Sequence, residues 1–326
     1  MSGVHFALWP LALLLAGAPP DVQQAPQQNP PETQLSPAEE LAAAIVALGE
    51  NQNRMTVPVQ IAGAGPYRFI IDTGSERTVI ARELARNLGL PAGRMVNVVA
   101  MSGTSRVSTV VIPSINVSTV PDIGAIHAPA LKAVDLGALG LLGIDTLRDH
   151  RIDIDFEAGQ MSVTPSVKRK KTPPKQPDEI VVRAKSLFGQ LIVTEASYEG
   201  RRIRVILDTG SPVSVGNGAM LRLVRRHARG IEPTTLISAT GGLVQAEFAY
   251  VENVRVGGIT FSNMPVAFAD VAPFKRFELG DRPALFLGMS TLKSFRRVQI
   301  DFANREVRFL MPRDVDTRPR TAFTAL

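Results

Sequence analysis

One tetrapeptide occurs twice in this 326-residue chain, and its surroundings recur with it. Arg68-Phe-Ile-Ile-Asp-Thr-Gly-Ser75 returns as Arg204-Val-Ile-Leu-Asp-Thr-Gly-Ser211. With average residue usage, a given tetrapeptide recurs by chance in a chain this long with odds of roughly one in several hundred. The flanks lower those odds further, because they repeat in the same order. Upstream of the two copies, Met55-Thr-Val-Pro-Val-Gln-Ile61 and Leu191-Ile-Val-Thr-Glu-Ala196 both read as strands leading through a glycine turn into the repeat. Downstream, each half has a helical patch (Ala81 to Leu88, Ala219 to Ala228). A strand, a glycine turn (Ser102-Gly103; Thr240-Gly241-Gly242) and a second strand come next. Each half then reaches an apolar pair closed by glycine, Leu141-Leu142-Gly143 or Phe286-Leu287-Gly288, and short helices at Ile144 to Leu147 and Met289 to Leu292. Each closes on a hairpin opening with Arg151-Ile-Asp-Ile-Asp-Phe156 or Arg297-Val-Gln-Ile-Asp-Phe302. A duplicated unit is therefore the frame for every later inference.

Short β-rich segments punctuated by Gly and Pro predict two mostly β lobes, at 52–164 and 181–312. A basic, Pro-rich linker over 165–180 joins them, and 313–326 forms a tail. Lys168, Arg169, Lys170, Lys171 and Lys175 supply five positive charges there, against a net charge of +6 for the whole chain. The linker reads as a solvated, extended connector, and no nucleic-acid partner is expected. With no cysteine, disulfides and thiolate chemistry are excluded. The four histidines are scattered, so no metal or cofactor is expected.

The N-terminus carries an apolar run from Phe6 to Ala18 that is too short to span a bilayer and ends in small residues. Residues 1–18 thus read as a signal peptide or membrane anchor, which predicts export and leaves the uncleaved segment as the only membrane contact. A Pro/Gln-rich tail and a short helix fill 19–51. Ser36, Pro37 and Glu39 form the capping signature of that helix, and Leu41, Ile45 and Leu48 recur at helical spacing. Asn116-Val117-Ser118 has the pattern of a glycosylation sequon.

An apolar strand that ends in Asp-Thr-Gly-Ser delivers a carboxylate to a turn at the rim of a core. Gly74 and Gly210 permit close backbone approach there. Thr73, Thr209, Ser75 and Ser211 bring hydroxyls able to lock the turn and to hydrogen-bond the carboxylate. Two lobes packed about a pseudo-twofold axis would set Asp72 opposite Asp208, and like charges roughly 3 Å apart share one proton. Such a pair activates water without a covalent intermediate.

The doubled motif, each copy followed by two apolar residues and glycine, resembles the aspartic peptidases over residues 52 to 311. Each half looks like a retropepsin-like protomer, and the tandem looks like the two-lobed pepsin-like arrangement. The resemblance implies two closed β-barrel lobes with short helices and an aspartic endopeptidase acting on an extended peptide or protein. It implies catalytic roles for Asp72 and Asp208, a cross-brace by Thr73 and Thr209, and hydroxyls beside the dyad from Ser75 and Ser211. Flap tips would fall at Met101, Ser102, Gly103 and Thr104 and at Thr240, Gly241 and Gly242. No tyrosine lies between Ser75 and Gly143, which departs from the pepsin-like flap, and Glu76 and Pro212 make the two sites unequal. A silent peptide-binding module of the same fold, and lobes that pair between chains, are the alternatives.

Overall fold

The computed structural model describes residues 35–49, 55–117, 124–187, 189–193 and 195–313. The apolar N-terminal run, the Pro/Gln-rich tail, Ser118 of the sequon and the end of the C-terminal tail lie outside them. Among the described residues no helix is long and apolar enough to cross a membrane.

The first described element is the expected helix, Pro37–Gly49. Its capping box is formed: Ser36 N donates to Glu39 Oε2 at 2.8 Å and Glu39 N donates to Ser36 Oγ at 3.4 Å. Leu41 is buried, and Glu40 reaches Arg86 on the helix Arg82–Asn87 of the first lobe.

Both lobes build the same frame around their repeat. In the first, Thr56–Ile61 and Ala64–Ile71 pair antiparallel, with Thr56 opposite Ile70. The strand carrying the motif also lies parallel to Gly140–Leu142, with Ile71 opposite Leu142. In the second, Gln190–Val193 pairs with Arg204–Leu207, with Ile192 opposite Ile206. Arg204–Leu207 lies parallel to Ala284–Leu287, with Leu207 opposite Leu287. A strand buried on both faces reads as a continuous apolar run rather than an alternation. That accounts for Phe69-Ile70-Ile71 and Val205-Ile206-Leu207, all buried. The apolar pairs before Gly143 and Gly288 are thus the parallel partners of the motif strands. The helices Ile144–Leu147 and Met289–Leu292 follow as expected. The helical patches of the two halves become Arg82–Asn87 and Gly218–Val224, the latter capped by Asn217, whose Oδ1 accepts from Met220 N at 2.8 Å.

The expectation of closed barrels is corrected. Among the described residues no sheet closes on itself, so the lobes are open sheets rather than closed barrels. One eight-stranded sheet belongs to the first lobe, a twelve-stranded sheet runs through the second, and a four-stranded sheet stands beside it. Closure would join the edge strands, and in the eight-stranded sheet Ala92–Ala100 and Ile115–Val117 remain its two ends.

The lobes are also not self-contained. The hairpin His150–Asp155/Gln160–Pro165 pairs edge to edge with Arg297–Asp301 of the other half, Ile152 facing Ile300. This fuses the closing hairpins of both repeats into one sheet and covers an edge that each would otherwise expose. Asp153 sits at the seam, paired with Arg297 and accepting from Gln299 Nε2 at 2.9 Å. Its hydrogen bond holds the Arg297 guanidinium above the ordinary arginine pKa.

The linker also differs from a solvated strap. It lacks regular structure between Pro165 and Glu179, and Lys168, Lys170 and Lys171 are exposed, but Arg169 turns inward. Its Nη2 donates to Asp301 and Glu306, both at 3.1 Å, while Ser166 Oγ donates to Asp301 at 2.9 Å. Arg308 is buried between Glu306 and Glu179 and reaches the carbonyls of Pro173 and Pro174. Buried acids on Glu306–Leu310 and its neighbour require cations, and the linker supplies one of them.

Candidate active site

The two motif turns come together between the lobes, and their contacts are reciprocal. Thr73 Oγ1 donates to the carbonyl of Leu207 at 2.8 Å, and Thr209 Oγ1 donates to that of Ile71 at 2.6 Å. Each hydroxyl also accepts the opposite backbone N–H, Thr73 N to Thr209 Oγ1 at 3.2 Å and Thr209 N to Thr73 Oγ1 at 3.1 Å. Both threonines are buried, and four hydrogen bonds therefore fix one turn to the other. A valine would keep the shape and lose the lock. The cross-brace expected of Thr73 and Thr209 is present.

Asp72 and Asp208 emerge from this lock. Asp72 N donates to Leu142 O at 2.9 Å and Asp208 N to Leu287 O at 3.1 Å, so each aspartate is suspended from its parallel partner strand. Asp72 Oδ1 accepts from Gly74 N at 2.9 Å. Asp208 Oδ1 accepts from Gly210 N at 3.1 Å and Ser211 N at 3.2 Å. Each carboxylate lies against the glycine of the other turn. A methyl group on Gly74 would stand 2.8 Å from Asp208 Oδ1, and one on Gly210 would collide with the carboxyl of Asp72. Glycine is required here by proximity rather than by unusual dihedrals. Burial differs: Asp208 is 8% exposed, whereas Asp72 is half-buried.

The serines take a narrower role than expected. Ser75 Oγ donates to Arg77 O at 2.8 Å and Ser211 Oγ to Val213 O at 2.7 Å. A hydroxyl has one proton, so these serines lock their own turns and do not donate it to the aspartates. Support for the turns comes from residues that the sequence did not single out. Thr78 Oγ1 bonds Asp145 Oδ1 and Thr146 Oγ1 and accepts from Gly143 N at 3.1 Å. Ser214 Oγ bonds Thr291 Oγ1 and accepts from Gly288 N at 3.0 Å. Gly143 and Gly288 run against the backbone of Arg77 and Val213, where any Cβ would clash. The hydroxyls were legible only as ordinary strand residues three places beyond the motif.

The two segments expected to act as flaps meet each other. One hairpin is Ala92–Ala100/Gly103–Ile112 and the other Arg229–Ile237/Leu243–Val251. Ser102 Oγ lies 3.3 Å from Thr240 Oγ1, and Gly242 packs directly on the Ser102 side chain. Gly241, with φ +83°, lies against the Asp135 carboxylate of the first lobe. Met101 packs against a core cluster of the second lobe, and its carbonyl accepts from Ala272 N at 3.4 Å. Each tip therefore leans on the opposite lobe. Gly103 opens the returning strand with φ +125°, and Thr104 beside it is exposed and paired with Val99. On the rim, Glu76 pairs with Arg276 across the lobes at 3.4 Å.

A two-lobed, mostly β chain with paired Asp-Thr-Gly-Ser turns locked across its middle has the organisation of an aspartyl protease. Residues 57–149 match the family model described as gag-polyprotein putative aspartyl protease, and residues 194–291 match the one described as aspartyl protease. Together the matches cover more than half of the chain, one in each lobe. The chain belongs to the aspartyl protease family, with two family domains in tandem. No curated protein matches it.

Proposed function

We propose that this protein is an aspartic endopeptidase in which Asp72 and Asp208 form the catalytic pair. The observation that carries the reading is the reciprocal lock: each carboxylate rests on the glycine of the opposite turn, held there by four threonine hydrogen bonds. Two carboxylates so placed share a proton, because both cannot be ionised at close range. The ionised member takes a proton from a water molecule as that water attacks the scissile carbonyl carbon. The protonated member donates to the carbonyl oxygen, giving a neutral gem-diol. Proton transfer to the amine then accompanies C–N cleavage. Acid and base roles belong to the pair rather than to a fixed residue. The flap tips, whose hydroxyls touch across the lobes, would part to admit an extended peptide and close on it. Both halves of the site come from one chain, which favours an intramolecular pair over lobes exchanged between chains. A peptide or protein substrate, no nucleic-acid partner, and export through the 6–18 segment complete the proposal.

The test is cleavage of an unbiased peptide library across acidic to neutral pH by wild type and Asp72→Asn. Wild-type cleavage that is lost in the variant is the expected result. Absence of cleavage by folded wild type would turn the reading toward a silent peptide-binding module. N-terminal sequencing of the exported protein checks processing near Ala18.

A further inference from the structure

Gln190 begins the strand Gln190–Val193 in the second lobe, yet its side chain serves the first. It is 1% exposed, and its Nε2 donates to the carbonyl of Gly74 at 3.2 Å. Its Oε1 is also buried and has no hydrogen-bond partner among the described residues. Before it, Gly189 presses on Ile144 of the first lobe, 2.5 Å from where its own Cβ would stand. The turn carrying Gln190 is therefore wedged between the two segments that shape the first motif, Gly74 on one side and Gly143-Ile144 on the other.

A buried amide with one end unpaired is a poor choice for packing alone, since a buried acceptor without a partner is destabilising and a methionine would fill similar space. The amide is explained by its donor end. Gly74 is in contact at three points: its N–H holds Asp72 Oδ1, its Cα supports the Asp208 carboxylate, and its carbonyl is held by Gln190. Moving that carbonyl would move the surroundings of both aspartates. The strand registers (Thr56 opposite Ile70, Ile192 opposite Ile206) make Arg54 the matching position in the first half. The amide is thus a feature of one lobe and not of the repeat.

We propose that Gln190 is a positioning residue of the aspartate pair, bracing the Gly74 turn from the opposite lobe and so setting how the two carboxylates face each other. This rests on the reading of Asp72 and Asp208 as the working dyad. The brace acts on the dyad geometry, so it governs turnover and dyad titration more than substrate affinity.

The experiment compares Gln190→Met and Gln190→Glu with wild type, reading kcat, KM and the pH profile, and in parallel the carboxyl NMR titration of the dyad without substrate. Gln190→Met should lower kcat about tenfold with KM within about threefold, a small misplacement of reacting groups being enough for such a loss. It should also shift the dyad titration. Gln190→Glu can donate to Gly74 O only while its carboxyl is protonated. Its activity should therefore recover at acid pH and its alkaline limb should move to lower pH. If Gln190→Met fails to fold, Gln190→Glu carries the test. A pH profile parallel to wild type overturns the proposal, and so does a folded Gln190→Met with wild-type kcat and titration. If wild type cleaves nothing, the peptidase reading fails, and the titration alone decides Gln190: a shifted dyad upholds the brace and an unshifted one removes it.

Discussion

The first and second Asp-Thr-Gly-Ser turns share their backbone contacts and the hydroxyls that support them, and differ in burial and in particular neighbours. Asp208 is buried and accepts two backbone N–H groups, while Asp72 is half-buried beside Gly74. Beyond the first motif stands Glu76, an exposed carboxylate paired with Arg276; beyond the second stands Pro212. Behind the first, Asp145 Oδ1 accepts from Thr78 N, Thr78 Oγ1 and Thr146 N. The same place in the second half holds Ser290, whose buried Oγ has no partner among the described residues. The lesson is that duplication preserves the elements which bring the backbone turns face to face. One layer out, the hydroxyl pairs that hold Gly143 and Gly288 are kept, while positions such as Asp145 and Ser290 diverge.

If the shared backbone frame sets function, Asp208→Asn should match Asp72→Asn, each lowering kcat by at least about a thousandfold in the peptide assay. A large difference between them would make the lobes unequal at the chemical step. Thr73→Val and Thr209→Val each strip a donor and an acceptor from the buried lock. Each should cost about 2 to 3 kcal/mol in urea unfolding, with a clearly non-additive double mutant. At the diverged layer the lobes should part company. Asp145→Ala should destabilise by about 2 kcal/mol, because it leaves bonded donors unsatisfied, whereas Ser290→Ala should stay within about 0.5 kcal/mol. The smallest effect belongs to the closing hairpins, where His150 in one half stands opposite Arg296 in the sequence repeat. Burial lowers the His150 pKa from its ordinary 6.5, only partly offset by Asp149. The unfolded chain then takes up the proton first, so this contribution to stability is complete above 6.5 and falls as the pH drops below it. Unfolding midpoints followed from neutral to acid pH should decline less in His150→Gln.

Most of the frame was legible because it rests on local pattern. The repeated motif, the apolar pair before each glycine, the glycine turns near 102 and 241 and the capping box at Ser36 are short-range signals, and the structure forms each of them. What escaped depends on contacts across the lobes. Gln190 is the first residue of a strand, and only the fold brings it to Gly74, more than a hundred residues earlier. In sequence Ser75 and Ser211 look available to the carboxylates, but a carbonyl two residues ahead is nearer to hand for a serine in a tight turn. Arg169 belonged to a run of basic residues that looked uniform. Its difference from Lys168 and Lys170 comes from Asp301 and Glu306, which lie far along the chain. The fused sheet was hidden because two similar hairpins do not declare that their edges are for each other.

That fused sheet also bears on how the protein comes into being. Arg151 pairs with Asp301, so the first lobe cannot finish its outer edge until nearly the whole chain has been made. Contacts of such long sequence separation are slow to form, because a long loop must close before any pairing rewards it. A growing chain would carry an unfinished strand edge through synthesis of the second half. Folding should therefore complete in one late step that joins the lobes and brings Asp72 and Asp208 together, so that the finished aspartate pair arises only once nearly all of the chain has been made.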